Sequence, residues 1–332
     1  MPLNRTNPEI AFAMDVARQA GLLVKTIEQE LVTPAMTKDD RSPVTVADYA
    51  AQAVVASMLQ RAFPNDVLVA EEDSKALRNA ENSETLETVT RFAGSALPHA
   101  TPNTVCALID RGGGEPADRF WTLDPIDGTK GFLRREQYAA ALALIENGEV
   151  RIGALGCPNL TPGGVDEPGG PGSLLIAMRG QGCWVTPLNG PDAPLEQLTV
   201  SNIESLKDAR VLRSAEAGHT NVSQLDQLLA HMGVAASPVC MDSQAKYAML
   251  AAGQGDLLFR LLSPNRPDYR EMIWDQAAGS IVVEEAGGSV SDLDGNRLDF
   301  TAGRTLARNR GVLASNAVLH QSALDAIKRM GI

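Results

Sequence analysis

The spacing of apolar residues predicts two helices and a strand in the first quarter of the chain. Apolar side chains recur every three or four residues over 8–31, which predicts a helix with one buried face. The same spacing predicts a second helix over about 48–63, and the run DVLVA at 66–70 predicts a short buried strand that ends in Glu71. Residues 75–118 are mostly polar, with Gly and Pro near their end, so we expect a surface insertion with helical patches.

From residue 119 onward the pattern becomes typical of antiparallel strands. RFWTL at 119–123 predicts one strand, and the runs 137–145 and 150–157 flank Asn147-Gly148, a pair that favours a hairpin turn. Further strands are expected over 172–185. The Pro- and Gly-rich stretch 161–172 lies between predicted strands, which favours a long hairpin connection over a linker between domains.

Beyond about residue 209 strands and helices alternate. Strands are predicted over 209–214, 237–241, 256–262, 288–295 and 311–316, and helices over 221–233, 243–255 and 274–288. Helices that alternate with strands in this way pack on a sheet. We therefore predict an α+β half over 1–205, which carries most of the candidate site, and an α/β half over 206–332.

Charge and composition narrow the range of functions. A formal net charge of −12 argues against nucleic acid binding, but a cation held by carboxylates can still attract an anionic substrate. Four separated cysteines without a CxxC pair and four scattered histidines argue against a zinc site, and we expect the cysteines to be reduced and structural. With no apolar run of transmembrane length and no signal-like or transit-like start, we expect a cytoplasmic protein without membrane partners.

Four acidic residues lie where predicted elements begin or end: Glu71, Asp124, Asp127 and Asp275. Such positions can converge on a cleft between two halves of a chain. Mg²⁺ prefers oxygen ligands, and two such ions about 3.5–4 Å apart can drive the displacement of a phosphoryl group. Asp124 is placed to bridge two ions, with Glu71 on one side and Asp127 on the other.

Neighbouring residues add further candidate groups. Pro125 fixes a turn that allows the Ile126 carbonyl to face a metal, and Glu72 is an alternative ligand to the preceding glutamate. A helix that begins at Gly128 or Thr129 would direct free N–H groups at a phosphate, and the threonine hydroxyl can hydrogen-bond an attacking water. Each feature alone is common in ordinary turns and helix starts, so their joint occurrence is what favours a site.

Four segments, in order, resemble the signatures of the lithium-sensitive, Mg²⁺-dependent inositol monophosphatase superfamily: VTVADY (44–49), EED (71–73), DPIDGTKGF (124–132) and WDQAAG (274–279). The resemblance covers essentially the whole chain and implies the layered α/β/α/β/α sandwich of the inositol monophosphatase and fructose-1,6-bisphosphatase type. Within the superfamily the chain is most similar to the 3'(2'),5'-bisphosphate nucleotidase branch. Gly131 stands where inositol monophosphatases typically have Asn, and the segment 242–261 resembles the branch's segment for binding adenosine bisphosphate.

Carried over by position, the resemblance implies a metal-binding role for each acidic candidate. Glu71, Asp124 and the Ile126 carbonyl would bind one Mg²⁺, and Asp124, Asp127 and Asp275 would bind another, with two or three ions in all. A further set of residues is implied in water activation and substrate binding: Asp48 with Thr129 at the attacking water, and Gly128, Thr129, His219, Ser243, Lys246, Arg260 and Asp275 at the substrate.

The resemblance also implies an activity. The chain would remove the 3'-phosphate of adenosine 3',5'-bisphosphate (PAP), and act likewise on PAPS, as a lithium-sensitive monomer or dimer of sulfur metabolism. An inositol (poly)phosphate 1-phosphatase of the same fold is the alternative enzyme. A non-catalytic nucleotide or metal sensor is the alternative of another class, and the presence of both Asp48 and Thr129 argues against it.

Overall fold

Helices and strands follow one another largely as the apolar spacing predicts. The computed structural model describes residues 3–30, 36–37, 43–215, 221–262, 266 and 268–332. The helices of these residues are α1 (Pro8–Glu30), α2 (Val46–Ala62), α3 (Ser83–Gly94), α4 (Pro102–Asp110), α5 (Thr129–Arg134), α6 (Val222–Met232), α7 (Ala245–Ala251), α8 (Ala277–Glu285) and α9 (His320–Met330), with 3₁₀ turns at Ala76–Arg78, Ala80–Asn82 and Leu206–Asp208. The strands are β1 (Met36–Thr37), β2 (Pro43–Val44), β3 (Val67–Ala70), β4 (Arg119–Asp127), β5 (Ala139–Glu146), β6 (Glu149–Cys157), β7 (Ser173–Met178), β8 (Gly182–Pro187), β9 (Glu196–Gln197), β10 (Val211–Arg213), β11 (Val239–Cys240), β12 (Leu257–Arg260), β13 (Ser289–Ser291) and β14 (Val312–Ser315).

Seven strands form the first sheet, in the order β3-β4-β5-β6-β7-β8-β9. β3 and β4 are parallel, and every later pair is antiparallel. The turn from β5 to β6 is made by Asn147 and Gly148, both at positive φ, as the two-residue hairpin requires. β6 pairs directly with β7, so the stretch 161–172 is the hairpin connection that we predicted.

Five strands form the second sheet, in the order β11-β10-β12-β14-β13. β10 runs parallel to both of its neighbours, while β14 is antiparallel to β12 and β13. The predicted boundary near residue 205 lies between the last strand of the first sheet and the first strand of the second. No helix in the described part of the chain is both long and apolar enough to cross a membrane.

Five layers pack through three apolar cores, the middle one of which lies on both sides of the central helix layer. α1 and α2 cover one face of the first sheet, and α8 packs on its other face. α7 and α8 also contact the second sheet, so that Leu212 and Leu258 share their core with the first sheet. Alternate residues of the same strands, Val211 and Leu257, point the other way into the core beneath α6 and α9. This helix, sheet, helix, sheet, helix order confirms the predicted fold class.

The helical patches predicted over 75–118 are present as α3 and α4, but the prediction that this segment is only a surface insertion is wrong. α3 and α4 pack against α2 and bury Val89, Phe92, Val105 and Ile109 in the first core. These residues lie three or four apart within each helix, a spacing that indicates a buried face, but the surrounding polar residues obscure it. The expectation that all four cysteines are structural also fails in part, because Cys240 is exposed while the three other cysteines are buried.

Candidate metal centre and active site

Parallel pairing of β3 with β4 brings two of the predicted acidic residues together. Ala70 is paired with Leu123, and the Glu71 N–H donates to the Leu123 carbonyl at 3.3 Å. Glu71, the residue after β3, therefore lies next to Asp124, which is inside β4. β4 continues to Asp127 with an irregular register after residue 124, so the prediction that the strand ends before these aspartates is wrong. Such an irregularity redirects side chains without ending the strand.

Hydrogen bonds fix the turn that follows. Asp124 Oδ1 accepts from the Ile126 N–H at 3.1 Å. The Thr129 hydroxyl lies 3.2 Å from the Ile126 carbonyl oxygen and 3.4 Å from Asp48 Oδ1. Asp48 Oδ2 accepts from the N–H and hydroxyl of Thr45 at 2.7 and 2.6 Å in the capping box of α2. The capping bonds thus orient Asp48 so that its other oxygen faces Thr129.

Asp275 lies just before α8, not at its first residue. α8 begins at Ala277 with Gln276 as its N-cap residue, so the prediction that the aspartate opens the helix is wrong. Trp274 and Asp275 belong to the turn that leads into the helix, where the buried Gln244 side chain donates to the Trp274 carbonyl.

Gln244 joins the two halves of the site. Its N–H donates to Asp127 Oδ2 at 2.7 Å, its side-chain amide donates to the Trp274 carbonyl at 3.0 Å, and its Oε1 accepts from the Gly279 N–H at 2.8 Å. Ser243, immediately before it, has a φ of 68°, which turns the chain so that the Gln244 N–H reaches the aspartate. Asp127 and Trp274, the residue preceding Asp275, are therefore held by one residue, through its backbone N–H and its side-chain amide respectively.

The carboxylates share one negative environment, in which Asp48 and Asp124 are buried and the others are partly buried. Burial raises the pKa of Asp124 well above its usual value, and the charges of Glu71, Asp127, Asp275 and Asp48 raise it further. Burial likewise raises the pKa of Asp275, with Asp127 the strongest contributing charge. Ionised carboxylates in such a place are costly unless positive charge compensates them.

The oxygen donors suit a hard divalent cation. Among the described residues, no three His, Cys, Asp or Glu side chains are already gathered closely enough to hold an ion. Ionised carboxylates repel one another, so a cation between them would favour their closer approach. Carboxylates and a backbone carbonyl, without Cys or His, are the ligand set that Mg²⁺ favours.

Of the two adjacent glutamates, Glu71 is the one that faces this environment. Its charge acts on both Asp124 and Asp275. Glu72 is buried, and its backbone N–H and carbonyl bond both ends of the Gln52 side chain, which fixes it against α2. This arrangement favours Glu71 as the ligand.

Two cations adjoin the acidic cluster, of which Lys246 is buried and Arg260 is partly buried. Lys246 donates to the backbone carbonyls of Met241 and Ser243 at 3.2 and 2.7 Å, and burial lowers its pKa to about 8. Arg260 donates to Glu271 through two nitrogens, at 3.3 and 2.7 Å. The charges of both cations lower the pKa of Asp127, which burial raises. The site therefore has a strongly acidic region and a cationic region next to it.

The comparisons with known proteins agree with this geometry. The sequence model of the inositol monophosphatase family matches residues 6–329. The chain belongs to the inositol monophosphatase family. Among curated family members, proteins named 3'(2'),5'-bisphosphate nucleotidase are similar over nearly their full length. The one from Schizosaccharomyces pombe is 41% identical over 96% of this chain and 94% of its own, and the one from Oryza sativa is 39% identical over 96% and 93%.

Solved structures of the inositol monophosphatase family share the fold. The Thermotoga maritima IMPase aligns with a TM-score of 0.65 and 21% identity over 97% of both chains. The inositol monophosphatase from Anabaena aligns with a TM-score of 0.62 and 20% identity over 98% of this chain and 97% of its own. At this identity the likeness establishes the architecture and says nothing about the substrate.

Gly131, on which the expected nucleotidase branch depends, is enforced by packing. A Cβ at this position would lie 2.2 Å from the Gln137 carbonyl oxygen and 3.2 Å from the Asp242 Cβ. Asp242 in turn pairs with Arg134 of α5. Gly128, at a φ of 90°, similarly lies against Ser243. The two glycines thus let α5 approach the segment that carries Ser243 and Lys246.

The structure brings together most of the residues that the sequence singled out. Asp48 and Thr129 are neighbours, the acidic residues share one environment, and Lys246 and Arg260 adjoin them. His219 lies outside the described residues. Sequence reasoning missed Gln244 and Glu271, because a Gln after a Ser and a Glu in a polar loop carry no signal by themselves.

Proposed function

We propose that the chain is a Mg²⁺-dependent 3'(2'),5'-bisphosphate nucleotidase that hydrolyses PAP to AMP and phosphate. The observation that carries the proposal is the acidic cluster around the buried Asp124 with two cations beside it, the buried Lys246 and the partly buried Arg260. A monophosphate ester needs only the first of these features, whereas a bisphosphate also offers a second anionic group to the cations. The names of the curated relatives support the same substrate class.

The residues that would hold Mg²⁺ are Glu71, Asp124, the Ile126 carbonyl, Asp127 and Asp275, with two or three ions expected. When bound, the cation supplies positive charge that stabilises the transferring phosphoryl group and makes water more acidic. The buried carboxylates are then compensated, so they stay ionised at neutral pH.

Asp48 and Thr129 prepare the attacking water. The Thr129 hydroxyl hydrogen points to Asp48 Oδ1 or to the Ile126 carbonyl, which leaves its oxygen to accept a hydrogen bond from the water. Asp48 Oδ1, held by the Thr45 capping bonds to the other oxygen, accepts the proton that the water loses. The water oxygen bonds to phosphorus as the bond to the 3'-oxygen breaks, without a covalent enzyme intermediate.

The cationic region would bind the second phosphate. Arg260 is held in place by Glu271, which itself accepts from Gln276 at 2.8 Å. Lys246 is held by two backbone carbonyls. Both cations are therefore already positioned, so little side-chain entropy is lost when the phosphate binds. Ser243, Gly128 and, outside the described residues, His219 complete the proposed substrate contacts.

A substrate panel tests the proposal. Phosphate release from PAP, PAPS and inositol 1,4-bisphosphate is measured side by side with Mg²⁺, and PAP is expected to be the best substrate. Asp127→Asn is expected to abolish turnover, while Asp294→Asn, which alters an exposed aspartate paired with Arg310, is the matched control. Hydrolysis of the inositol compound alone would refute the nucleotidase proposal and support the alternative phosphatase.

Several finer points belong to the same proposal. Lithium at millimolar concentration is expected to inhibit the enzyme, and activity on PAP and PAPS would assign it to sulfur metabolism. We expect a cytoplasmic protein that acts as a monomer or a dimer. Lithium titration of the PAP reaction and sedimentation of the purified protein test the first and last of these points.

A further inference from the structure

One arginine, Arg304, bridges the two halves of the chain beside the acidic cluster. Its Nη2 donates to the Ala70 carbonyl at 2.6 Å, and its Nη1 donates to the carbonyls of Gly112 and Gly114 at 3.3 and 2.9 Å. These three acceptors belong to the first half, and Ala70 is directly followed by Glu71. The guanidinium thus holds the backbone from which a proposed metal ligand projects.

The three backbone carbonyls are arranged so that they can accept from two nitrogens of one planar guanidinium. The Ala70 N–H donates to the Gly112 carbonyl at 2.8 Å, and the Gly114 N–H donates to the Leu68 carbonyl at 3.2 Å, so residues 112–114 lie along the free edge of β3. A Cβ on Gly112 would lie 2.8 Å from that of Ala70, and one on Gly114 would lie 2.6 Å from the Leu68 oxygen. Only glycines allow this approach, which aligns the three carbonyls.

The same arginine is fixed to the second half on its other side. The Ile273 N–H donates to the Arg304 carbonyl at 3.1 Å, and the Leu306 N–H donates to the Glu271 carbonyl at 2.8 Å. The guanidinium carbon lies 4.9 Å from the centre of the Trp274 ring, within the range of a cation–π contact. Trp274 directly precedes Asp275, the proposed ligand from the second half.

The set of contacts as a whole suits a guanidinium better than an ammonium. Its planar fork reaches acceptors from two nitrogens at once, whereas a lysine has a single nitrogen on a flexible stem. Burial lowers the pKa of Arg304, with Glu115 the acidic residue that opposes this effect. Arginine remains charged even so, because its ordinary pKa lies far above neutrality.

From these contacts we propose that Arg304 is a positioning residue that sets the separation of Glu71 from Asp275, and with it the affinity of the metal centre. The inference rests on the proposed function only in taking these two carboxylates as metal ligands. Loss of a group that orients metal ligands typically lowers metal affinity or activity by about 10- to 100-fold.

The test compares Arg304→Met and Arg304→Lys with a control that breaks a different link between the halves. Glu285, at the far end of α8 from Asp275, accepts from the N–H groups of Gly180 and Gly182 at 2.9 Å each, so Glu285→Ala also removes contacts between the halves. Mn²⁺ binding is measured by loss of the free-ion EPR signal, and thermal unfolding is recorded for every variant. We expect the Arg304 variants to bind Mn²⁺ about tenfold more weakly or worse, and Glu285→Ala to bind it normally whatever its stability.

Two results would overturn the proposal: normal Mn²⁺ affinity in a folded Arg304 variant, or an equal loss of affinity in Glu285→Ala, which would indicate a general structural role. If Arg304→Met does not fold, Arg304→Lys decides, because one ammonium nitrogen cannot occupy both guanidinium positions. The binding measurement uses no organic substrate. A wild-type protein that fails to hydrolyse PAP would refute the nucleotidase proposal while leaving this test intact.

Discussion

Replacement of Gly131 by alanine is the sharpest test of how α5 packs against the substrate segment. The new Cβ would lie 2.2 Å from the Gln137 carbonyl oxygen, far inside normal contact, and 3.3 Å from Asp242 Oδ2. Residues 135 and 136 cannot easily yield, because both of their N–H groups donate to the Gly131 carbonyl. The backbone at residue 131 and the Gln137 carbonyl must therefore move apart by almost an ångström.

The change in the free energy of unfolding caused by Gly131→Ala is the difference between two opposed effects. Overpacking against backbone costs about 1–3 kcal/mol, and a clash this close belongs at the upper end of that range. Alanine recovers about 1 kcal/mol because it favours helix over glycine. We therefore expect Gly131→Ala to lower the free energy of unfolding by about 2 kcal/mol and to raise the KM for PAP, since the clash displaces the segment next to Ser243.

Gly94→Ala is the matched control. Gly94 is also a helical glycine without positive φ, and its added Cβ would meet only the Ala100 Cβ, at 3.9 Å. Here we expect wild-type stability or a gain of up to about 1 kcal/mol. Urea unfolding of both variants, with PAP hydrolysis assayed below the transition, makes the comparison. A Gly131→Ala protein as stable as Gly94→Ala would refute the packing argument.

Three further predictions concern charge. Because the pKa of Lys246 is about 8, kcat/KM for PAP should fall as pH rises through that value. The kcat/KM for 3'-AMP, which lacks the second phosphate, should not fall in the same way. Parallel pH profiles for the two substrates would contradict the assignment of Lys246 to the second phosphate. His320, hydrogen-bonded to Ser291 and Ser315 at 2.9 and 2.8 Å, has its pKa lowered by burial, so the folded state binds fewer protons than the unfolded state and stability should fall as pH drops below 6.5. His320→Gln should flatten that dependence in urea titrations, and an unchanged slope would count against it. Removal of Mg²⁺ by EDTA should abolish turnover and lower the melting temperature, and addition of excess Mg²⁺ should restore both.

Much of the site could be predicted because its residues lie in short, ordered motifs. Asp124 and Asp127 stand in one segment with Thr129, and each further acidic residue follows a strand or precedes a helix. Placement at the ends of regular elements is a local property, and the pairing of β3 with β4 then brings the ends together. The fold could be predicted for the same reason, since alternation and helical spacing are read within a few residues.

The positioning groups could not be predicted because their contacts join distant parts of the chain. Arg304 and Ala70 are 234 residues apart, and Gln244 and Asp127 are 117 apart. The residues adjacent in sequence to Arg304 and Gln244 do not indicate the partner of either one. Each partner is brought close only by the tertiary structure. α9 was missed for a simpler reason, because its short apolar stripe of Ala323, Ala326 and Ile327 is weak among polar residues.

The burial of α8 between the two sheets limits which substitutions this part of the sequence can accept during evolution. Its residues from Ala277 to Val283 are buried, because α8 packs between the two sheets and contacts strands of both. A Cβ on Gly279 would strike the Tyr247 ring at 2.4 Å, and one on Gly153 of the facing strand would strike Ile281 at the same distance. Because residues 277–283 have no face toward solvent, we expect no position in this segment at which substitutions are nearly neutral. In a comprehensive mutational scan we expect this short segment to tolerate fewer replacements than any amphipathic helix of the chain, including positions far from the carboxylates.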